Sequence, residues 1–141
     1  MAERVARKKT LYTVPVESGA RPALRCGRCV CGHVFFPPQR LGCEVCGAPG
    51  DRLEIVELAP EGVLQALAPA HRLKRPDGGT PLWVGTVRLD AGPVFEAALD
   101  VTDASGLAAG RRVEGRLVDV GRDDEGRVVV DLFFAPAGGP G

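Results

Sequence analysis

All five cysteines of this 141-residue chain fall between positions 26 and 46, in a stretch too poor in aliphatic residues to build a hydrophobic core. From 25 to 50 the chain is rich in Cys, Gly and Pro. A segment of that kind orders only if something besides apolar burial holds it, and clustered thiols point to a metal ion. Cys26-Gly-Arg-Cys29 and Cys43-Glu-Val-Cys46 are two CxxC pairs separated by the thirteen residues 30 to 42. That is close to the spacing at which two knuckles close one tetrahedral zinc site. Thiolates suit zinc, a borderline-soft ion, and Gly47 frees the backbone to turn its amides toward sulfur. The competing readings are an iron centre and free thiols.

The expected ligands are Cys26, Cys29, Cys43 and Cys46, because the CxxC pair is the commoner arrangement. Cys31 leaves an alternative open. It precedes Gly32 as Cys46 precedes Gly47, so the first knuckle can also be read with Cys31 in place of Cys29. A four-thiolate site has no open position for water or substrate, so this zinc is expected to stabilise and not to catalyse. A spare thiol acting as a nucleophile would need an oriented base. His33 has no evident orienting partner in the sequence, and His71 is far along the chain.

Beyond Asp51 the pattern changes to short apolar runs punctuated by Gly, Pro and Asp, the signature of an antiparallel barrel or sandwich. A lead-in at 53–58 precedes five runs, at 62–69, 82–89, 94–99, 112–120 and 128–134. Asp90-Ala91-Gly92-Pro93 and the segment 121–126 read as hairpin turns, and 103–110 as a short helical turn ending in glycine. The expected fold is mainly β, with a small four-cysteine zinc ribbon followed by a five-stranded OB barrel. The expected divisions are a basic N-terminal arm at 1–22, the ribbon at 23–52, the barrel at 53–135 and a mobile tail at 136–141.

Eighteen basic residues balance eighteen acidic ones, so no overall positive field exists to gather nucleic acid or an anionic membrane. No stretch approaches the roughly 18 apolar residues of a membrane span, and the charged start lacks the apolar core of a signal peptide. The expectation is a cytoplasmic protein. Five cysteines in a reducing compartment favour metal over disulfides.

The run from Cys31 to Gly47, with Phe36-Pro37-Pro38 as its distinctive piece, resembles the zinc ribbon of a family of acyl-CoA-associated OB-fold proteins. The similarity continues through Glu61-Gly62-Val63 and through Pro81-Leu82-Trp83-Val84-Gly85-Thr86-Val87-Arg88-Leu89-Asp90-Ala91-Gly92-Pro93, and again at 107–113. The chain departs from the family pattern where Gln39 precedes Arg40, which lengthens the loop to Cys43 by one residue, and in its extra cysteine. The resemblance implies a non-catalytic subunit that assembles as a hetero-oligomer with a thiolase or thiolase-like acyl-CoA enzyme. It also implies acyl-CoA at or near the shared interface.

Phe35, Phe36, Pro37 and Pro38 are then candidates for the partner interface, since aromatics with prolines bury much apolar area at small entropic cost. The equally weighted alternative is that they fill the joint between ribbon and barrel. Arg72, Lys74 and Arg75 are candidates for the CoA phosphates, against a plainly solvated loop. The rival function is a nucleic-acid-binding ribbon and OB module. The charge balance counts against it, as does the lack of a strand that alternates basic and aromatic residues.

Overall fold

The computed structural model describes residues 3–17 and 20–137. Their regular structure is nine strands and one 3-10 turn. The strands are β1 Arg4–Ala6, β2 Leu24–Cys29, β3 Val34–Phe35, β4 Leu53–Leu58, β5 Glu61–Ala70, β6 Leu82–Leu89, β7 Val94–Ala98, β8 Arg112–Arg122 and β9 Val128–Pro136; the turn is Gly50–Arg52. Period-two alternation explains the barrel strands. In β6, Gly85, Val87 and Leu89 are buried while Arg88 faces out, and in β8, Val113 and Gly115 alternate with Glu114 and Arg116.

Six strands form one sheet in the order β1-β9-β8-β5-β6-β7. β5 is antiparallel to both β6 and β8, and β9 is antiparallel to β8. The sheet curls until Leu99, just past β7, bridges Phe134 of β9 in parallel. β5 to β9 therefore make the five-stranded Greek-key barrel of the OB type. A register shift between Leu64 and Ala66 marks a bulge in β5, which bends the strand as it leaves β8 and continues along β6.

The expected hairpins are present. Leu89 N donates to the Pro93 carbonyl at 2.9 Å, and Asp123 N donates to the Arg127 carbonyl at 3.0 Å. The expected helical turn at 103–110 is not helix. Asp103 turns its carboxylate onto the Ser105 amide at 2.8 Å, and Gly106 (φ 82°) and Gly110 (φ 95°) are left-handed, which ends any helix before it starts.

The N-terminal segment lies against the barrel. β1 adds to β9 in parallel, Arg4 to Val128 through Ala6 to Val130, on the same edge that Leu99 meets further along at Phe134. Tyr12 is 3% exposed and bridges Leu24. Of the expected tail, Pro136 ends β9 and Ala137 N donates to the Arg112 carbonyl at 3.0 Å; 138–141 lie outside the described residues.

The second sheet, β3-β2-β4, is where ribbon and barrel meet. The 53–58 segment pairs with β2 along its whole length, Leu53 with Cys29 through Leu58 with Leu24, so this sheet runs past position 52. One face carries Leu24, Cys26, Val34, Val56 and Leu58 into the core built around Leu64, Val87, Leu89, Leu99, Val113 and Phe134. The other carries Cys29, Phe35 and Leu53 into a small cluster with Cys43. Each fully buried Leu or Phe contributes roughly 1.5–3 kcal/mol, so the larger core supplies most of the apolar stabilisation, and the thiol side of the sheet has little of its own.

Candidate metal centre

The thiols of Cys29, Cys31, Cys43 and Cys46 gather in one group, all within 4.8 Å of one another. Cys29 Sγ lies 3.5 Å from Cys46 Sγ, and Cys31 Sγ lies 3.8 Å from Cys43 Sγ. Four sulfurs at about 2.3 Å from a shared tetrahedral ion stand about 3.8 Å apart, so this spacing fits a single ion of zinc's size.

Cys26 is not in the group. It is fully buried in the barrel-side core, and burial pushes its thiol up to about 11. The reason is strand geometry. Cys26 and Cys29 both belong to β2, and an odd spacing in a strand sends two side chains to opposite faces. The thiol that gathers with that of Cys29 is instead Cys31's: Cys29-Val30-Cys31 rounds the turn beyond β2, where Gly32 N donates to the Cys29 carbonyl at 2.8 Å. The alternative read from the sequence placed Cys31 in the set, but at the expense of Cys29 and not of Cys26.

Each knuckle ends in a left-handed glycine, Gly32 (φ 96°) and Gly47 (φ 77°), immediately after its second cysteine. In the second knuckle the amides of Val45 and Cys46 point at Cys43 Sγ, at 3.4 and 3.5 Å. These donors, Cys46 first, lower the Cys43 thiol to about 6. Cys29 moves the other way, to about 12. The Cys31 amide favours its thiolate, but burial and the three neighbouring thiols oppose a further negative charge. Four thiolates this close repel one another unless a cation sits among them, so the donor set itself calls for a soft divalent ion.

Local packing holds the knuckles in place. A Cβ on Gly27 would meet the Phe35 ring at 2.1 Å, so the missing side chain is what lets that ring lie across β2 beside the thiols. Gln39, the residue that lengthens the loop, organises it. Its Oε1 accepts from the amides of Leu41 (2.6 Å) and Gly42 (3.2 Å), while its Nε2 donates to the Gly42 carbonyl at 2.7 Å. His33 does have an orienting partner, Glu44, at 2.9 Å, and its ring stacks on Phe35.

The residues named for a partner interface divide. Phe35 is buried beneath the thiols, and Phe36 packs on Phe95 with ring centroids 4.6 Å apart, in contact with the barrel core. Phe36 therefore fills the joint, the alternative given for it above, whereas Phe35 fills the small thiol-side cluster on the opposite face of the sheet. Pro37 is exposed and Pro38 half-buried. Arg72 and Lys74 are exposed, whereas Arg75 turns inward, with Nη1 donating to the Pro81 carbonyl at 3.1 Å and Nε facing Asp77 at 3.3 Å. Arg75 lines a cleft of about 600 Å3 floored by Leu99, Val101, Val118 and Phe133.

A chain of the solved Ltp2-ChsH2(DUF35) aldolase superposes on this fold with a TM-score of 0.62 at 25% identity. The match spans 82% of this chain and 85% of that one. The chain is similar to that aldolase chain in fold and, at that level, in sequence. No protein-family model matches it, and no curated protein matches it. The likeness to the aldolase chain reaches across both sheets, so it bears on the joint of ribbon and barrel as well as on the barrel. Among the described residues no helix is long and apolar enough to cross a membrane.

Proposed function

We propose that this chain is a non-catalytic, zinc-holding OB-fold subunit that assembles with a thiolase or thiolase-like acyl-CoA enzyme, stabilises it and shapes its acyl-CoA site. The observation that carries the reading is the likeness, along most of both chains, to a chain of the Ltp2-ChsH2(DUF35) aldolase. The four-thiol group supports the structural half. Cys29, Cys31, Cys43 and Cys46 would hold Zn2+ with every coordination position filled, which leaves the ion no role in chemistry. The reacting groups are then the partner's, and this chain supplies shape. Arg72 and Lys74 at the β5–β6 loop are the cations available to CoA phosphates, with Arg75 already engaged by Asp77 and Pro81.

The test is purification of the full chain alone, and together with a thiolase-type protein from the same genome. Turnover in the mixture and neither half alone is the expected result. Turnover by the isolated chain sinks the reading, and salt-sensitive oligonucleotide binding would replace it with the nucleic-acid module.

A further inference from the structure

Seven large apolar side chains stand exposed among the described residues, and three of them crown the metal-holding knuckles: Val30 at 71%, Leu41 at 92% and Val45 at 66%. Val30 lies between Cys29 and Cys31, Val45 adjoins Cys46, and Leu41 is two residues before Cys43. None of the three belongs to either core cluster. They do not cover the sulfurs either, since Cys31 and Cys46 remain exposed. Aliphatic groups that neither fill a core nor cover the ion raise the free energy of the isolated chain, which is the signature of a surface that another molecule covers.

The charges nearby define that molecule. Between 28 and 54, Arg28, Arg40 and Arg52 balance Glu44, Asp51 and Glu54, and Arg28 is already paired with Glu54 at 2.7 Å. Four thiolates around a divalent ion leave two negative charges over, so the loaded tip is apolar and net negative. Two copies of it would repel. Val30 also lines an open groove of about 380 Å3 with Arg28, Asp51, Arg52, Leu53 and Glu54.

We propose that this knuckle tip is the docking face for the catalytic subunit, and that the receiving surface is an apolar recess rimmed by lysine or arginine. The inference rests on the accessory-subunit reading and names the face that such a subunit uses. Three aliphatic side chains cover too little for an interface of about 800 Å2 per partner, so the tip is its apolar centre and exposed neighbours such as Pro37 belong to the rim.

The experiment uses the full chain co-expressed with a thiolase-type protein from the same genome, with assembly followed by light scattering and bound zinc by mass spectrometry. Val30→Ser, Leu41→Ser and Val45→Ser together weaken assembly at least about tenfold while zinc content and the far-UV spectrum stay unchanged. Leu41→Ser alone, at the most exposed position, gives part of the same loss if the triple variant folds poorly. Raising salt weakens the wild-type complex. A triple variant that assembles normally overturns the docking face alone, as does one that only releases zinc faster to a chelator. A wild-type chain that never assembles overturns the accessory reading together with it.

Discussion

The phenolic hydroxyl of Tyr12 stands 2.9 Å from the carboxylate of Asp131, a buried contact that ties the N-terminal segment to the last strand. Asp131 is only 7% exposed, and the same Oδ1 also accepts the Leu132 amide at 2.9 Å. Its other oxygen faces Arg7 at 3.8 Å. The Tyr12 hydroxyl is itself within 3.0 Å of the Val130 carbonyl and accepts the Lys8 amide at 3.2 Å. Tyr12→Phe strips a donor from a buried carboxylate and should cost about 1–3 kcal/mol, read by urea denaturation. Amide exchange in β1 should quicken with it.

The same tyrosine gives an alkaline signature. Burial, with help from Asp131, pushes its pKa up to about 12 from 10. The folded state favours the neutral phenol, so this contribution is complete below about pH 10 and disappears as pH rises through the folded value. Thermal melts between pH 8 and pH 12 should lose stability more steeply in the wild type than in Tyr12→Phe.

Single-cysteine replacements separate the two faces of β2. Cys26→Ala removes a sulfur from a packed core and should cost about 1 kcal/mol with zinc content unchanged. Cys31→Ser should lower zinc occupancy or affinity sharply while the barrel still melts cooperatively. Elemental analysis of the two purified variants decides it, and the reverse pattern would reinstate Cys26 as a ligand.

Gly27 is a packing test. With a Cβ only 2.1 Å from the Phe35 ring, Gly27→Ala forces that ring off β2, at a cost of about 1–3 kcal/mol. The displaced ring is beneath the thiols, so zinc should also leave faster to a chelator. Unchanged melting and unchanged release would mean the ring is loosely held.

Acid should find Asp90. The Arg112 guanidinium, at 2.6 and 2.8 Å, holds its carboxyl below the usual aspartate range. Its contribution is present above the ordinary aspartate pKa of about 3.9 and fades as pH falls below that. The pair is half exposed, so the effect is small. Asp90→Asn should therefore lower Tm slightly at pH 6 and narrow the gap to wild type by pH 2.5.

How much of this was legible depends on which side of a strand a residue occupies. Periodic runs with Gly and Pro between them announced β5 to β9 because alternation and turn chemistry are local. The knuckle after Cys43 was legible for the same reason. The first knuckle was not, because CxxC looks the same whether its residues turn or extend, and 24–29 is committed to extended pairing by β4, which lies far ahead in the sequence. The signal that pointed correctly was the glycine after Cys31, matching the one after Cys46. Phe35 and Phe36 likewise take their places from Gly27 and Phe95, partners that no local pattern names. Tyr12 and Asp131 lie 119 positions apart, and nothing short of the fold joins them.

Because β2 shows one face to the sulfurs and the other to Leu64, Val87 and Phe134, ribbon and barrel are not interchangeable modules. Excising 24–58 would uncover the barrel's interior and not merely shorten the molecule. Transplanting those residues onto another scaffold would carry along an oily underside with nothing to rest on. Any lineage that discarded the ribbon would have to redesign the floor of its barrel at the same time.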